Sequence, residues 1–167
     1  MTGAGVGATA DLVEVRILGL PLDIWEKSQA HVDDLLREFT LLVDGTRDHH
    51  SRHVPARLLA LVERVQRDYD GMTTEQQSQL IDAAQQGAES IDLTYQVPAG
   101  AAAAAEALAA ELDAADEFCR SGDYLLTLAT PPEALAFRRW FLGEFSNQIS
   151  GRAPTPWPQW REAAAAD

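Results

Sequence analysis

The sequence predicts an α/β (α+β) fold: a two-layer sandwich in which a small three-stranded sheet carries about five helices, mainly on one face. Three segments carry this prediction, because each leads from a short strand through a proline into a long amphipathic helix. They begin at Leu12, Ile91 and Tyr124. The first two strands have one polar face, so the helices are expected to pack on the opposite face. An all-α bundle is the alternative, because short strands are difficult to recognise in a sequence.

The first unit begins with a strand that starts at Leu12 and ends at Gly19 or Pro21. Apolar and polar side chains alternate in it, and this period of two marks a half-buried strand. Its apolar face holds Val13, Val15 and Ile17, and its polar face holds Glu14 and Arg16. A helix over about residues 22–43 follows, with an apolar stripe formed by Trp25, Val32, Leu36, Phe39 and Val43.

Two further helices are predicted before the second strand. The first follows a charged loop, residues 44–53, and begins at Pro55, whose missing N–H is tolerated in a first helical turn. It stops near Gly71, and Thr73 or Thr74 then caps the next helix. The residues of that helix expected to face inward are Leu80, Ile81, Ala84 and Ala88.

The second unit contains the second strand, Ile91 to Val97, and a helix over about residues 99–120. A third strand is predicted from Tyr124 to Ala129. Because a helix connects them, these two strands are expected to run parallel through a right-handed crossover. The apolar face of the second strand consists of Ile91, Leu93, Tyr95 and Val97.

The fifth helix has the clearest start signal, with Thr130 as its cap, Pro131 in its first turn and Glu133 completing a capping box. Its apolar stripe consists of Phe137, Phe141, Phe145 and Ile149, which recur four residues apart. Gly151 is expected to end it.

A chain of 167 residues is long enough to form one domain with a sizeable core. We place a single α/β domain at residues 11–151, between a disordered tail at 1–10 and a C-terminal tail with prolines and tryptophans at 152–167. The formal net charge of −13 disfavours nucleic acid and anionic membranes as partners. It is compatible with a basic protein partner.

Several features predict a cytoplasmic protein. The N-terminal residues lack the basic and apolar regions of a signal peptide. No apolar run approaches the roughly 20 residues of a membrane span. The single cysteine cannot form an intramolecular disulfide. Lys27 is the only lysine among many arginines, and alanine is abundant, which indicates a GC-rich genome such as that of an actinobacterium.

Two patterns resemble metal or cofactor sites. His49, His50 and His53 lie close together and are candidate metal ligands, but nothing else completes the site, so a solvated polar loop is favoured. The glycine pattern of residues 3–8 precedes the first strand, and therefore cannot place a phosphate at a helix N-terminus. No cofactor is expected.

Two patterns were considered as catalytic groups, and neither predicts an enzyme. Cys119 lies on the inner stripe of its helix beside acidic residues, which oppose a thiolate, so it is interpreted as a core residue. The carboxylates Glu106, Asp113 and Glu117 share one side of that helix, a pattern typical of a solvated face. We expect no catalytic residue.

Arginines and tryptophans near the C-terminus are the candidate partner-binding residues, since these types dominate interface hot spots. They are Arg138, Arg139, Trp140, Trp157 and Trp160. Trp140 packed beneath the C-terminal tail is an equally weighted alternative. For the two tail tryptophans, docking on their own domain is the preferred alternative, because tryptophans are costly to leave in water.

The segment YLLTLATPPEALAFRRWFLGEFSNQISG, the following PTPW and the opening VEVRILGLP resemble uncharacterised actinobacterial proteins that accompany anti-sigma regulatory ATPases in partner-switching systems. The strand–proline–helix entry is also similar to the start of those ATPase domains. The ATPases bind Mg-ATP through a Glu/Asn-bearing helix and Asp-x-Gly-x-Gly loops, which this chain does not contain. The resemblance therefore implies a role in bacterial signalling and transfers no catalytic residue.

Together these observations predict a non-enzymatic cytoplasmic regulatory or adaptor protein that acts by protein–protein interaction, in the setting of a sigma-factor pathway. The alternative is a small-molecule-binding protein or enzyme with a pocket between helices and sheet, lined by Tyr95, Tyr69 or His31. A third hypothesis is a homodimer paired along the edge strand from Leu12, with Glu14 and Arg16 as complementary charges.

Overall fold

A computed structural model describes residues 11–45, 49–121 and 129–166, and of residues 49–52 it describes the backbone alone. This part of the chain is mixed α+β and mostly helical. Its elements are β1 (Leu12–Pro21), α1 (Leu22–Gly45), α2 (His49–Asp68), α3 (Thr74–Gln85), β2 (Ser90–Pro98), α4 (Ala101–Ser121), α5 (Pro132–Ile149) and α6 (Trp157–Ala166). The predicted tail, residues 1–10, lies outside the described residues. No described helix combines the length and apolar character that crossing a membrane requires.

β1 and β2 form an antiparallel two-stranded ribbon, in which Arg16 lies opposite Thr94. The pairing shifts between Ile17 and Leu20, where Gly19 has a φ of 67°. The predicted alternation is confirmed on both strands, because their buried side chains all lie on one face. These are Val15, Ile17, Leu20, Leu93, Tyr95 and Val97.

Two of the three predicted strands lie in the described part of the chain, and they form the whole of the described sheet. Of the predicted third strand, residues 124–128 lie outside the described residues, and Ala129 is in a bend. α5 covers the buried face: the Tyr95 ring lies 5.3 Å from that of Phe145 and 6.3 Å from that of Phe141. The apolar stripe of α5 therefore packs on the ribbon formed by β1 and β2.

α4 and α5 pack as an antiparallel pair. The Ser146 hydroxyl donates to the Ala102 carbonyl at 3.4 Å near the start of α4, and Arg138 contacts Asp116 further along it. α4 therefore leads away from β2, and α5 returns beside it to the ribbon. A second cluster of buried residues fills the space between α1, α2 and α4, consisting of Leu35, Phe39, Leu58, Leu112 and Ala115.

The outer edges of the ribbon are covered by helix glutamines. On the β1 side, Gln148 of α5 accepts from the Arg16 N–H and donates to the Arg16 carbonyl, both at 2.8 Å. On the β2 side, Gln76 of α3 donates to the Thr94 carbonyl at 2.5 Å. Covering edges in this way prevents uncontrolled strand pairing. A second copy pairing along β1 would have to displace Gln148.

Several predicted helix boundaries and faces are wrong. α2 begins at His49, so Pro55 lies inside the helix rather than in its first turn. Thr130 does not cap α5, because Pro131 occupies the N-cap position and makes no side-chain cap bond. Ile81 of α3 is 48% exposed, because the helix turns Leu80 and Gln76 toward the ribbon instead.

The C-terminal segment packs onto the domain through α6. Trp157, at its start, is 4% exposed and belongs to the same core cluster as the buried face of the ribbon. Its ring centroid lies 5.4 Å from that of Trp140 and 5.7 Å from that of Trp160. The described part of the expected tail, residues 152–166, therefore contributes an aromatic layer to the core.

Candidate functional site

The five predicted partner-binding residues are divided between the core and the surface. Trp140 is 1% exposed, and its Nε1 donates to the Thr155 carbonyl at 2.8 Å, so the interpretation of a tryptophan beneath the C-terminal segment is confirmed. Trp157 is buried as well, which confirms docking on its own domain. Arg139 is exposed and Trp160 is half-buried, so these two can be reached from solvent.

Glu144 completes the attachment of the C-terminal segment. This carboxylate is 2% exposed and accepts hydrogen bonds from the Thr155 N–H at 3.0 Å and from Gln148 Nε2 at 2.7 Å. A buried carboxylate requires such donors to offset its lost hydration. Its role here is to join the segment after α5 to the glutamine that covers β1.

Arg138 lies at the centre of an interior network and not on the surface. Its Nη2 donates to Asp116 Oδ2 of α4 and to Asp113 Oδ1, each at 2.7 Å, and its Nη1 donates to Thr130 Oγ1 at 3.2 Å. We call these residues, with His31 of α1, the Arg138 network. Of the predicted acidic face of α4, Asp113 contributes a carboxylate from the rim of the network; the buried carboxylate is Asp116, which was not assigned to that face.

Thr130 connects the network to α1. Its hydroxyl donates to Asp116 Oδ1 at 2.6 Å, so it accepts from His31 Nε2, which lies 3.2 Å away. This assignment places the imidazole proton on Nε2. The Thr130 hydroxyl is therefore saturated, because its proton goes to Asp116 and its lone pairs accept from Arg138 and His31. The Arg138 network therefore connects α1, α4 and α5 through hydrogen bonds and has a structural role.

The charges of the Arg138 network shift two pKa values. Burial alone raises the pKa of Asp116, but hydrogen bonds from Thr130 and Arg138 outweigh it and hold that pKa below its ordinary value of 3.8. For His31, burial lowers the pKa below 6.5, and Arg138 adds to this, while Asp116 and Asp34 oppose it. The network therefore holds an ionised Asp116 beside a neutral imidazole.

Cys119, which was considered for catalysis, and Tyr95, which was considered for a pocket, are used in packing. Burial, Asp116 and Glu38 raise the pKa of Cys119 to about 11, so its thiol stays protonated at neutral pH. Tyr95 is buried beneath α5, and burial raises its pKa to about 12. The hydroxyl of Tyr69 lies near Gly100. Of the candidate carboxylates, Glu106 is exposed.

The predicted metal candidates are placed in part. His53 is exposed on α2, and the side chains of His49 and His50 lie outside the described residues. Among the described residues, no group of three or more histidine, cysteine or carboxylate side chains is arranged to hold a metal ion. His31 is engaged in the Arg138 network.

A cleft that the sequence interpretation did not anticipate lies between α3 and the solvent face of β2. We call it the α3 cleft; its volume is about 550 Å³. Its lining residues are Gly71, Met72, Glu75, Gln76, Gln79, Asp92, Thr94 and Gln96. Strand alternation places Asp92, Thr94 and Gln96 on the solvent face, and the first turns of α3 supply the opposite wall.

The amide groups of the α3 cleft are fixed by partners within the protein. Gln76 Nε2 donates to the Thr94 carbonyl, Gln79 Nε2 to Glu75 Oε1 at 3.2 Å, and Gln96 Nε2 to Glu14 Oε2 at 3.3 Å. Gln76 is 7% exposed, yet its Oε1 has no hydrogen-bond partner in the described structure. Each of these amide nitrogens has a second N–H, so the amides supply donors as well as acceptors.

The lining of the α3 cleft is acidic. Glu75 and Asp92 contribute its two carboxylates. Within the described ranges neither forms an ion pair with a lysine or arginine, although Asp92 Oδ1 accepts from the Gly19 N–H at 2.6 Å. In sequence these residues are polar positions on an exposed strand face and helix turn, which is why their convergence was missed.

No protein-family model, curated protein or solved structure matches the chain. The interpretation of the α3 cleft and the Arg138 network therefore depends on their chemistry.

Proposed function

We propose that the protein is a non-enzymatic regulatory or adaptor protein that binds a basic segment of a partner protein in the α3 cleft. The observation that carries this proposal is the pair of carboxylates, Glu75 and Asp92, which line an open cleft and form no ion pair with a described lysine or arginine. Such a site attracts positive charge, and the formal net charge of −13 over the whole chain has the same sign.

The proposal also includes the pathway in which the protein acts. The resemblance to actinobacterial proteins of partner-switching systems supports a cytoplasmic role in a sigma-factor pathway, and it rests on sequence pattern alone. Arg139 and Trp160, which solvent reaches, remain candidates for secondary contacts. Arg138, Trp140 and Trp157 would become contacts only if the core opened, because they are buried.

Capture of the partner tests this function. Immobilised wild-type protein, the charge reversal Glu75→Lys and the matched control Glu106→Lys, which reverses an exposed charge on α4, are incubated with lysate of the source organism. We expect a protein with a basic segment to be retained by the wild type and the control and lost with Glu75→Lys. Equal retention by all three proteins, or by none, contradicts the proposal.

A small-molecule-binding function is the second candidate. The cleft volume of about 550 Å³ favours it, because pockets for small ligands commonly span about 300–1,000 Å³. Such pockets are mostly apolar, whereas Met72 is the one large apolar side chain in this lining. The predicted lining residues Tyr95, Tyr69 and His31 lie elsewhere. The acidic, open lining therefore favours a charged segment of a protein.

A further inference from the structure

We infer that the outer face of α2 binds a short acidic segment of a protein, at a place separate from the α3 cleft and independent of the function proposed for it. The observation that carries this inference is the distribution of charge along the chain. Residues 47–67 hold five of the 13 lysines and arginines and three of the four histidines, but only two of the 26 acidic residues. A strongly acidic chain thus concentrates positive charge in one stretch, and α2 covers most of that stretch.

Helix geometry brings the described basic side chains of α2 together on one face. His53, Arg57, Arg64 and Arg67 recur at steps of four, seven and three residues, and side chains at these spacings share a side of a helix. All four are exposed, and the exposed Ala60 lies among them. We call this surface the α2 basic face. At 1.5 Å of rise per residue it is about 21 Å long.

One arginine of the α2 basic face already binds a carboxylate. Arg57 holds Glu111 of α4 with its Nη2 at 2.8 Å and its Nε at 3.1 Å from the carboxylate oxygens. A guanidinium group matches a carboxylate in this way because its N–H donors form a planar fork. The pair at the edge of the face shows the contact that an acidic segment would make with the other arginines.

Arg64 and Arg67 have no such contact in the described part of the chain. Neither forms an ion pair with a described carboxylate, although Glu63 and Asp68 each lie four residues from one of them. Like charges three residues apart on a helix repel each other. The helix dipole stabilises Arg67, which is in the last turn, but Arg64 precedes that turn. Carboxylates supplied by a partner would neutralise both.

The charge of the whole chain favours an acidic protein segment over other anions. Nucleic acids and anionic membranes are extended, and they would also meet the rest of a protein whose formal net charge is −13, which repels them. A short acidic segment contacts the α2 basic face alone. A membrane-binding helix would in addition need large apolar side chains to insert, whereas the apolar residue within this face is Ala60.

Fluorescence anisotropy with labelled peptides and the full chain tests the inference. The probe is hexaglutamate with blocked ends, because six extended residues span about 20 Å, close to the length of the α2 basic face. We expect hexaglutamate to bind, and to bind more weakly as the salt concentration rises, since salt screens exposed charges. Hexaglutamine, its neutral counterpart, should bind about tenfold more weakly at low salt.

Two double variants locate the binding. Arg64→Gln combined with Arg67→Gln removes the two unpaired charges and should weaken hexaglutamate binding about tenfold. Circular dichroism should show unchanged helix content, because glutamine and arginine have similar helix propensities. Arg16→Gln combined with Arg161→Gln removes the same charge from exposed positions on β1 and α6, and should leave binding unchanged.

Several results would overturn the inference. If hexaglutamate does not bind, or hexaglutamine binds as tightly, the face does not recognise carboxylates. If both double variants lose binding equally, the peptide responds to net charge and not to α2. If duplex DNA or phosphatidylserine vesicles bind more tightly than hexaglutamate and are lost with Arg64 and Arg67, the face takes a different class of partner. None of these variants alters the α3 cleft, so the capture experiment with Glu75→Lys is independent of them.

Discussion

Gln148 of α5 binds the backbone of Arg16, 132 residues earlier in the chain, through both polar atoms of its amide. Two 2.8 Å hydrogen bonds satisfy the outward-facing N–H and carbonyl of one β1 residue, as a neighbouring strand would. The same amide also donates to Glu144, which holds the Thr155 N–H. One glutamine thus joins the ribbon, α5 and the C-terminal segment.

Replacing this glutamine tests its structural importance. Gln148→Ala leaves the Arg16 backbone groups without partners, and should lower the free energy of unfolding by about 2–3 kcal/mol. Urea unfolding measures the change. Gln66→Ala, at an exposed position on α2, is the control and should change stability by less than about 0.5 kcal/mol. A Gln148 variant as stable as the control would show that water substitutes for the amide.

Asp116→Asn tests the Arg138 network. It removes the buried negative charge that faces Arg138 and should cost about 3 kcal/mol of unfolding free energy at pH 7. Asp34→Asn removes an exposed carboxylate from a pair on α1 and is the control, with an expected cost below about 0.5 kcal/mol. Similar losses for both variants would contradict the network's role.

The stability supplied by Asp116 should depend on pH. Its folded pKa lies below the ordinary 3.8, so the unfolded chain takes up the proton first as the pH falls. This contribution is complete above about pH 5 and is lost as the pH falls through 3.8 toward the folded value. The stability difference between wild type and Asp116→Asn, measured from pH 6 to pH 3, should therefore shrink. A difference that stays constant over this range would contradict the lowered pKa.

His31 should act over a higher pH range. Burial lowers its folded pKa below 6.5, so the unfolded state is protonated first, and stability falls as the pH drops from 6.5 toward the folded value. The imidazole resonances of His31, followed by nuclear magnetic resonance as the pH is lowered, report its pKa directly. His31→Asn should reduce the pH dependence of unfolding in this range. A His31 pKa at or above 6.5 would contradict the expected shift.

The aromatic layer formed by α6 should be essential for stability. Trp157→Ala opens a cavity beside Trp140 and Phe137, whose rings lie 5.4 and 6.0 Å from its own, and should cost about 3–5 kcal/mol. The tryptophan emission of the folded variant should also move to longer wavelength as Trp140 gains water contact. Glu162→Ala, exposed on the same helix, should change neither quantity.

Gly19 and Gly143 should respond in opposite directions to alanine. Gly19 has a positive φ of 67°, and an added Cβ would lie 3.3 Å from Pro158 Cδ, so Gly19→Ala should cost about 1–2 kcal/mol. Gly143 is inside α5 with nothing within 4 Å of an added Cβ. Gly143→Ala should therefore stabilise the protein by up to about 1 kcal/mol, as thermal unfolding would show.

Local periodicity in the sequence correctly predicted β1, β2 and α5, because each of these elements has one buried and one exposed face. The alternation in β1 and β2 identified the buried positions Val15, Ile17, Leu93 and Tyr95, because strand geometry places alternate side chains on one face. The four-residue spacing in α5 identified Phe137 and the aromatic residues beside it. Both inferences identify which face of an element is buried, and this does not depend on which other element covers that face.

Pairings between distant elements could not be predicted in this way. Arg138 was interpreted as a surface contact, because its burial against Asp116 depends on α4 and α5 approaching each other. Gln76 and Gln148 carried no signal either, since a glutamine that covers a strand edge is indistinguishable in sequence from one in solvent. The third predicted strand stays a prediction, because residues 124–128 lie outside the described residues.

The separation of the paired strands along the chain has a consequence for how the protein folds. β1 ends at Pro21 and its only described partner begins at Ser90, so the ribbon closes a long loop that contains three helices. Loop closure is slow when contacting residues are far apart in sequence, whereas the α1–α2 and α4–α5 hairpins need only nearby segments. We expect the hairpins to assemble early and β1 to join last, which makes ribbon pairing the step that limits the refolding rate.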